Sequence, residues 1–188
     1  MSGSTREGGW GALSDLPGNP IMWVLIIGEM LVFGALLIGF AVVRLLHPQM
    51  VLAGQSALSI PLGGLNTLIL VTSGWLAAHA VRLRSDGDIG GSRLRLAGAG
   101  ALGLAFLAVK GVEYADKAAR GLGIETDAFW TLFYLTTGFH AAHVAMGVIL
   151  LGIVGWKNTS ENLETGAAFW HMVDLVWLIL FPLVYLLR

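Results

Sequence analysis

Five blocks of mostly apolar residues, near 21–44, 62–82, 93–113, 129–155 and 166–187, alternate with short stretches at 45–61, 83–92, 114–128 and 156–165. A helix needs roughly 20 apolar residues to cross the hydrocarbon of a bilayer, and each block meets that length. The pattern predicts an all-α integral membrane protein, a bundle of five transmembrane helices. Pro20 falls in the first turn of the first block, where its missing N–H costs nothing. Pro48 and Pro61 fence the first connection, and Ser85-Asp86-Gly87-Asp88 followed by Gly90-Gly91 marks a turn between the second and third blocks. No repeat of solenoid period and no inverted repeat is visible. Residues 1–19 are rich in Gly and Ser, carry Arg6, Glu7 and Asp15, and lack the apolar core of a signal peptide. They are expected to form a flexible cytoplasmic tail, with 20–188 as one transmembrane domain.

Composition supports this reading. Charged residues make up 12% of the 188-residue chain, about half the share in a soluble domain, while 56% are apolar. With a net charge of −1, no nucleic-acid partner is expected. The chain has no cysteine, which excludes disulfides, thiolate metal sites, iron–sulfur clusters and thioether-linked haem.

Basic residues set orientation. Arg6, Arg82, Arg84, Arg93, Arg95 and Lys157 fall on one side, and Arg44, Lys117, Arg120 and Arg188 on the other. Four of the first group crowd one short loop, which predicts a cytoplasmic N-terminus and a periplasmic C-terminus. In lipid, helices associate through small residues that let backbones approach closely. The run Ala97-Gly98-Ala99-Gly100-Ala101-Leu102-Gly103, and Ala141, Ala145 and Gly147, are candidates for such contacts. Trp23, Trp75, Trp130, Trp156 and Trp170 lie toward span ends and suit interfacial anchoring.

Ionisable side chains inside a span are costly and need a reason to be there. Glu29 stands eight residues into the first span. His140 and His143 lie three apart near the middle of the fourth, and His171 and Asp174 three apart in the fifth. The alternating direction of the spans brings Glu29, His143 and Asp174 to similar depth. Asn66, Thr67, Thr72 and Ser73 form a polar stripe ending at His79, and Glu113 and Tyr114 close the third span one turn after Lys110. One reading pairs these groups as clamps between helices, with Glu29 meeting His143 and with Asp174 and His171 bonding across to the second or fourth span. A second makes a metal site of Glu29, His140, His143 and His171, although the ferritin-like Glu-x-x-His pair is missing. A third passes protons through Glu29.

The run Thr137-Gly138-Phe139-His140-Ala141-Ala142-His143-Val144 resembles a TGFHGxHV motif of cytochrome c oxidase subunit III, and Phe169-Trp170-His171-Met172-Val173-Asp174-Leu175-Val176-Trp177 resembles that family's WHFVDVVW motif. Pro61 to Thr67, Ser73-Gly74 and His79 are similar to one of its spans, Glu29 to its carboxylate in a Ser-Glu-x-x-x-Phe context, and Glu113-Tyr114 to its Glu-Tyr pair. The likeness runs over residues 20–187. Lys110 replaces a Gln common before the Glu-Tyr pair, Gly28 stands where Ser often precedes the carboxylate, and the two N-terminal spans of the seven-helix form have no counterpart. The five-helix form, Asn19-Pro20-Ile21-Met22-Trp23 and Lys110-x-x-Glu113-Tyr114 resemble most the subunit III-like proteins associated with nitric oxide reductase.

The resemblance implies a non-catalytic subunit in a bacterial inner membrane, beside a haem-bearing catalytic subunit of a haem–copper-superfamily oxidase or nitric oxide reductase in respiratory electron transport. It implies phospholipid bound between the helices, haem and metal only in the partner, and support of the partner's assembly and proton uptake. No catalytic centre or metal of the chain's own is expected. Two other functions remain open: a stand-alone transporter or proton conductor, and a membrane enzyme with its own metal. Transporters usually show broken spans in matched halves, whereas Pro182 is the one proline late in a span here.

Overall fold

A computed structural model describes residues 20–187. The proposed tail, 1–19, lies outside the described residues. The order is α1 (Pro20–Leu46), α2 (Pro48–Ser56), α3 (Ile60–Ser85), α4 (Ile89–Ala119), α5 (Ala128–Lys157) and α6 (Ser160–Phe181), closed by a π-helical turn over Pro182–Leu186. Five helices are long and apolar enough to cross a membrane: α1, α3, α4, α5, and α6 with its π-turn. The all-helical membrane bundle expected from the apolar pattern is the fold.

The helices run longer than the apolar blocks, because local capping rather than hydropathy ends them. Asp88 accepts from the Gly91 N–H at 2.8 Å and starts α4, leaving three residues between α3 and α4. Asp127 does the same for α5 through the Trp130 N–H, at 3.0 Å. Asn158, at φ 45°, ends α5 in the left-handed region, and Thr159 caps α6 at once. The stretch 156–165, expected to be a connection, is therefore mostly helix. The segment 45–61 also contains a helix, α2, opened by Pro48 and anchored by buried Val51 and Gln55. Gln55 Nε2 donates to the carbonyls of Val184 and Leu187, each at 2.9 Å, tying α2 to the end of the chain.

Packing centres on α6, whose Trp170 and Trp177 are fully buried. The Trp170 ring fits between two glycines. A β-carbon at Gly103 on α4 would come 2.7 Å from its Cη2, and one at Gly147 on α5 would come 2.6 Å from its Cε3. The small residues of α4 and α5 thus make room for an indole as well as for a backbone. This corrects the expectation that Trp170 anchors at the interface. Its Nε1–H donates to Ser73 Oγ at 3.0 Å, and Ser73 donates on to the Ala99 carbonyl at 2.8 Å. Trp130 is likewise interior, 2% exposed, whereas Trp75 and Trp156 are exposed as anchors would be. Helix α1 is the least embedded, holding on by Phe33 and Phe40 while Leu31, Ile38 and Leu45 face outward.

Candidate functional site

Three separate polar assemblies lie inside the bundle. The first joins α1 to α5. Glu29 Oε2 stands 3.0 Å from His143 Nε2, and Phe33, one turn beyond Glu29, packs edge-on against the same imidazole at 5.4 Å. His143 Nδ1 lies 2.8 Å from the Phe139 carbonyl. A carbonyl can only accept, so Nδ1 carries a proton. The other nitrogen, Nε2, then faces the Glu29 carboxylate. The approach is within ion-pair reach but off hydrogen-bond alignment, so Glu29 Oε2 has no hydrogen-bond partner among the described residues. The 3.0 Å separation is what holds the two groups as a pair.

His140 does not share this contact. Three residues along a helix amount to about 300° of rotation, which turns the two histidines about 60° apart. His140 faces inward and is fully buried, stacked on Trp177 at 5.2 Å with Phe106 edge-on at 5.6 Å. Neither of its ring nitrogens has a partner among the described residues. Asn66 is also buried in the core, with Oδ1 unpartnered.

The second assembly was only half visible in the sequence. Lys110 Nζ donates to Glu113 Oε2 at 2.7 Å and to the Tyr185 hydroxyl at 3.0 Å. That hydroxyl donates to the Glu113 carboxylate, 3.0 Å from Oε1 and 2.9 Å from Oε2. All three side chains are buried. The rings of Tyr114, Phe133 and Trp177 surround the ammonium, with centroids 4.8, 5.0 and 5.6 Å away. Tyr114 itself bonds to Thr137 Oγ1 at 2.7 Å. Glu113 and Tyr114 therefore do not close the third span: α4 continues to Ala119, and both residues belong to its packed face. Tyr185 carries no motif, and the π-turn that aims it has no signature beyond Pro182.

The third assembly departs from expectation. His171 Nδ1 and Asp174 Oδ2 are 4.0 Å apart, too far for a hydrogen bond, and neither bonds across to α3 or α5. Asp174 instead lies against Gly74 of α3. The physical reason is steric: without a β-carbon at position 74 the carboxylate fits against the helix, where no donor is offered. His79 stacks obliquely on Trp75 at 5.4 Å, its Nδ1 unpartnered. Among the described residues no group of three or more His, Cys, Asp or Glu side chains could hold a metal ion, so Glu29, His140, His143 and His171 are not brought together as a ligand set.

Arg84 and Arg93 do more than bias orientation. Arg84 Nε donates to the Asn158 carbonyl at 2.8 Å, and Arg93 donates to the carbonyls of Gly155 and Trp156 at 3.1 and 3.0 Å. They satisfy acceptors left over at the C-terminal end of α5.

Such an arrangement defines a polytopic helical membrane protein in which some of the polar groups, Glu29 with His143 and Lys110 with Glu113 and Tyr185, join helices. Its relatives narrow that class. A family profile described as cytochrome c oxidase subunit III matches residues 19–188. Cytochrome c oxidase subunit 3 of Thermostichus vulcanus is 34% identical over 175 residues, spanning 87% of this chain and 84% of the relative. The Synechocystis protein of the same name is 30% identical over 173 residues, spanning 87% and 73%. That of Corynebacterium diphtheriae is 30% identical over 143 residues, spanning 72% and 70%. The chain belongs to the cytochrome c oxidase subunit III family.

Proposed function

We propose that this chain is the non-catalytic, subunit III-like component of a haem–copper-superfamily terminal enzyme in a bacterial inner membrane. It stands beside a haem-bearing catalytic subunit, carries no haem or metal of its own, and supports that partner's assembly and proton uptake. The carrying observation is the Glu29–His143 contact, where two family-like polar residues, one on α1 and one on α5, stand 3.0 Å apart. A membrane-embedded carboxylate–imidazole pair at the rim of the bundle can clamp α1 and hold a proton within reach of a neighbouring subunit. The N-terminus faces the cytoplasm, as the arginines of the α3–α4 turn favour. Phospholipid occupies the groove of about 570 Å³ between α1, α3 and α6, whose walls include Ile26, Met30, Val81, Met172 and Leu175. Apart from Glu164 and His171 these walls are apolar and suit acyl chains.

Purification from native membranes in mild detergent tests this reading. A haem-bearing large subunit in the same peak supports it, and a solitary chain loaded with metal or transporting solute overturns it. A branch associated with nitric oxide reductase, rather than oxygen reduction, is favoured by Lys110. Lys110 and Glu113 of that string are two members of a buried triad completed by Tyr185, so Lys in place of Gln there carries a structural role. Nitric oxide consumption by the co-purified complex supports that branch, and oxygen consumption alone overturns it.

A further inference from the structure

The outer face of α3 and α6 contains a carboxylate that the chain itself leaves unserved. Asp174 is 7% exposed, its Oδ1 is buried, and that oxygen has no hydrogen-bond partner among the described residues. The carboxylate opens into a groove of about 250 Å³ whose walls include Val71, Gly74, Trp75, His171 and Leu178. The apolar rim of this groove is exposed: Trp75 58%, Val71 47% and Leu178 42%. His79 Nδ1, also unpartnered, lies five residues past Gly74 along α3, about 7.5 Å farther on.

Lipid does not satisfy such a face. Asp174 lies eight residues into the apolar block 166–187, about 12 Å along its axis and inside the hydrocarbon. Hydrocarbon offers neither donors nor water, and an ionisable side chain at that depth needs a protein neighbour. Resting on the reading proposed above, we infer that the α3/α6 face is the docking surface for a transmembrane helix of the partner subunit, which inserts a hydrogen-bond donor side chain at the depth of Asp174. Gly74 makes room for the carboxylate, Val71, Trp75 and Leu178 supply the apolar rim, and His79 offers a second polar point about one and a half turns away.

Two measurements test this. A photoreactive benzophenone amino acid is placed at Leu178 or, as control, at Leu104 in the separate groove between α4 and α5, and the full chain is irradiated in native membranes. The expected result is an adduct between position 178 and a second, different membrane polypeptide, with little from position 104. Adducts from 178 to lipid alone or to a second copy of the chain overturn the proposal, as does a partner adduct from 104 without one from 178. Asp174→Leu and Asp174→Asn are then compared in the intact complex. Because Asp174 makes no hydrogen bond among the described residues, Asp174→Leu should leave the chain's own level and melting unchanged. It should weaken partner recovery at least about tenfold, with Asp174→Asn in between. Unchanged partner recovery, or an equal loss of the chain itself, overturns the docking surface. The two readings fail separately. A haem-bearing partner that cross-links elsewhere, or a haem-free polypeptide cross-linked at 178 while a haem-bearing subunit co-purifies, sinks the surface alone, and the absence of any haem-bearing subunit from the purified complex sinks the functional reading.

Discussion

Glu29 of α1 and His143 of α5 stand 3.0 Å apart, with His143 Nδ1 committed to the Phe139 carbonyl. Helix α1 has few other polar attachments, so this pair is a main link between it and the bundle. Glu29→Gln keeps the shape and offers an amide N–H to the bare imidazole nitrogen. It should assemble normally and leave the partner's turnover unchanged across pH. Glu29→Leu removes the polar contact and should cost about 1–2 kcal/mol, the range for polar contacts between spans. Normal assembly of Glu29→Gln with activity that falls at high pH would show that the pair exchanges protons rather than only clamping.

The Lys110–Glu113–Tyr185 triad should behave as a unit. Lys110→Met leaves the Glu113 carboxylate buried with only the tyrosine hydroxyl, which is expected to destabilise the chain by about 3–5 kcal/mol. Adding Glu113→Leu removes the stranded charge and should recover much of the loss, since replacing a whole buried pair by apolar groups is often neutral. Thermal unfolding of both single variants and the double variant in detergent measures the coupling. Simply additive losses would mean that the two residues do not act as a pair.

Trp170 rests between Gly103 and Gly147. Filling either glycine with Val should overpack the bundle and destabilise it by about 1–3 kcal/mol. Ser73→Ala should cost about 1–3 kcal/mol, because the indole N–H loses its acceptor in a dry interior. Equal melting temperatures for Gly103→Val and a surface control such as Leu104→Val would contradict this seating.

A reporter in the 86–91 turn should be cytoplasmic, and one fused after Arg188 periplasmic. Neutralising Arg82, Arg84, Arg93 and Arg95 together should give mixed orientation. Because Arg84 and Arg93 also hold carbonyls at the end of α5, that variant should in addition unfold more easily. Unchanged topology in every molecule would remove the cluster as the determinant.

The five spans and the fold class were legible in the sequence, because a bilayer-length run of apolar residues has almost no other stable form. The need for inward polar contacts was legible too, and the depths of Glu29 and His143 suggested their meeting. Choice of partner was not. His140 and His143 occupy neighbouring positions on one helix, yet about 60° of rotation gives one a carboxylate and the other a wall of aromatic rings. Trp170 looks like an interfacial anchor until two glycines on other helices open a seat for it. Tyr185 becomes the third member of a buried triad only because a π-turn swings it toward α4. Hydropathy and periodicity are properties of single helices, so the sequence alone determined how many helices are long and apolar enough to span a membrane and how deep their charges lie. Rotation about the helix axis and the contacts between helices arise only on packing, so the tertiary structure decided which charges are paired and which one is left facing outward.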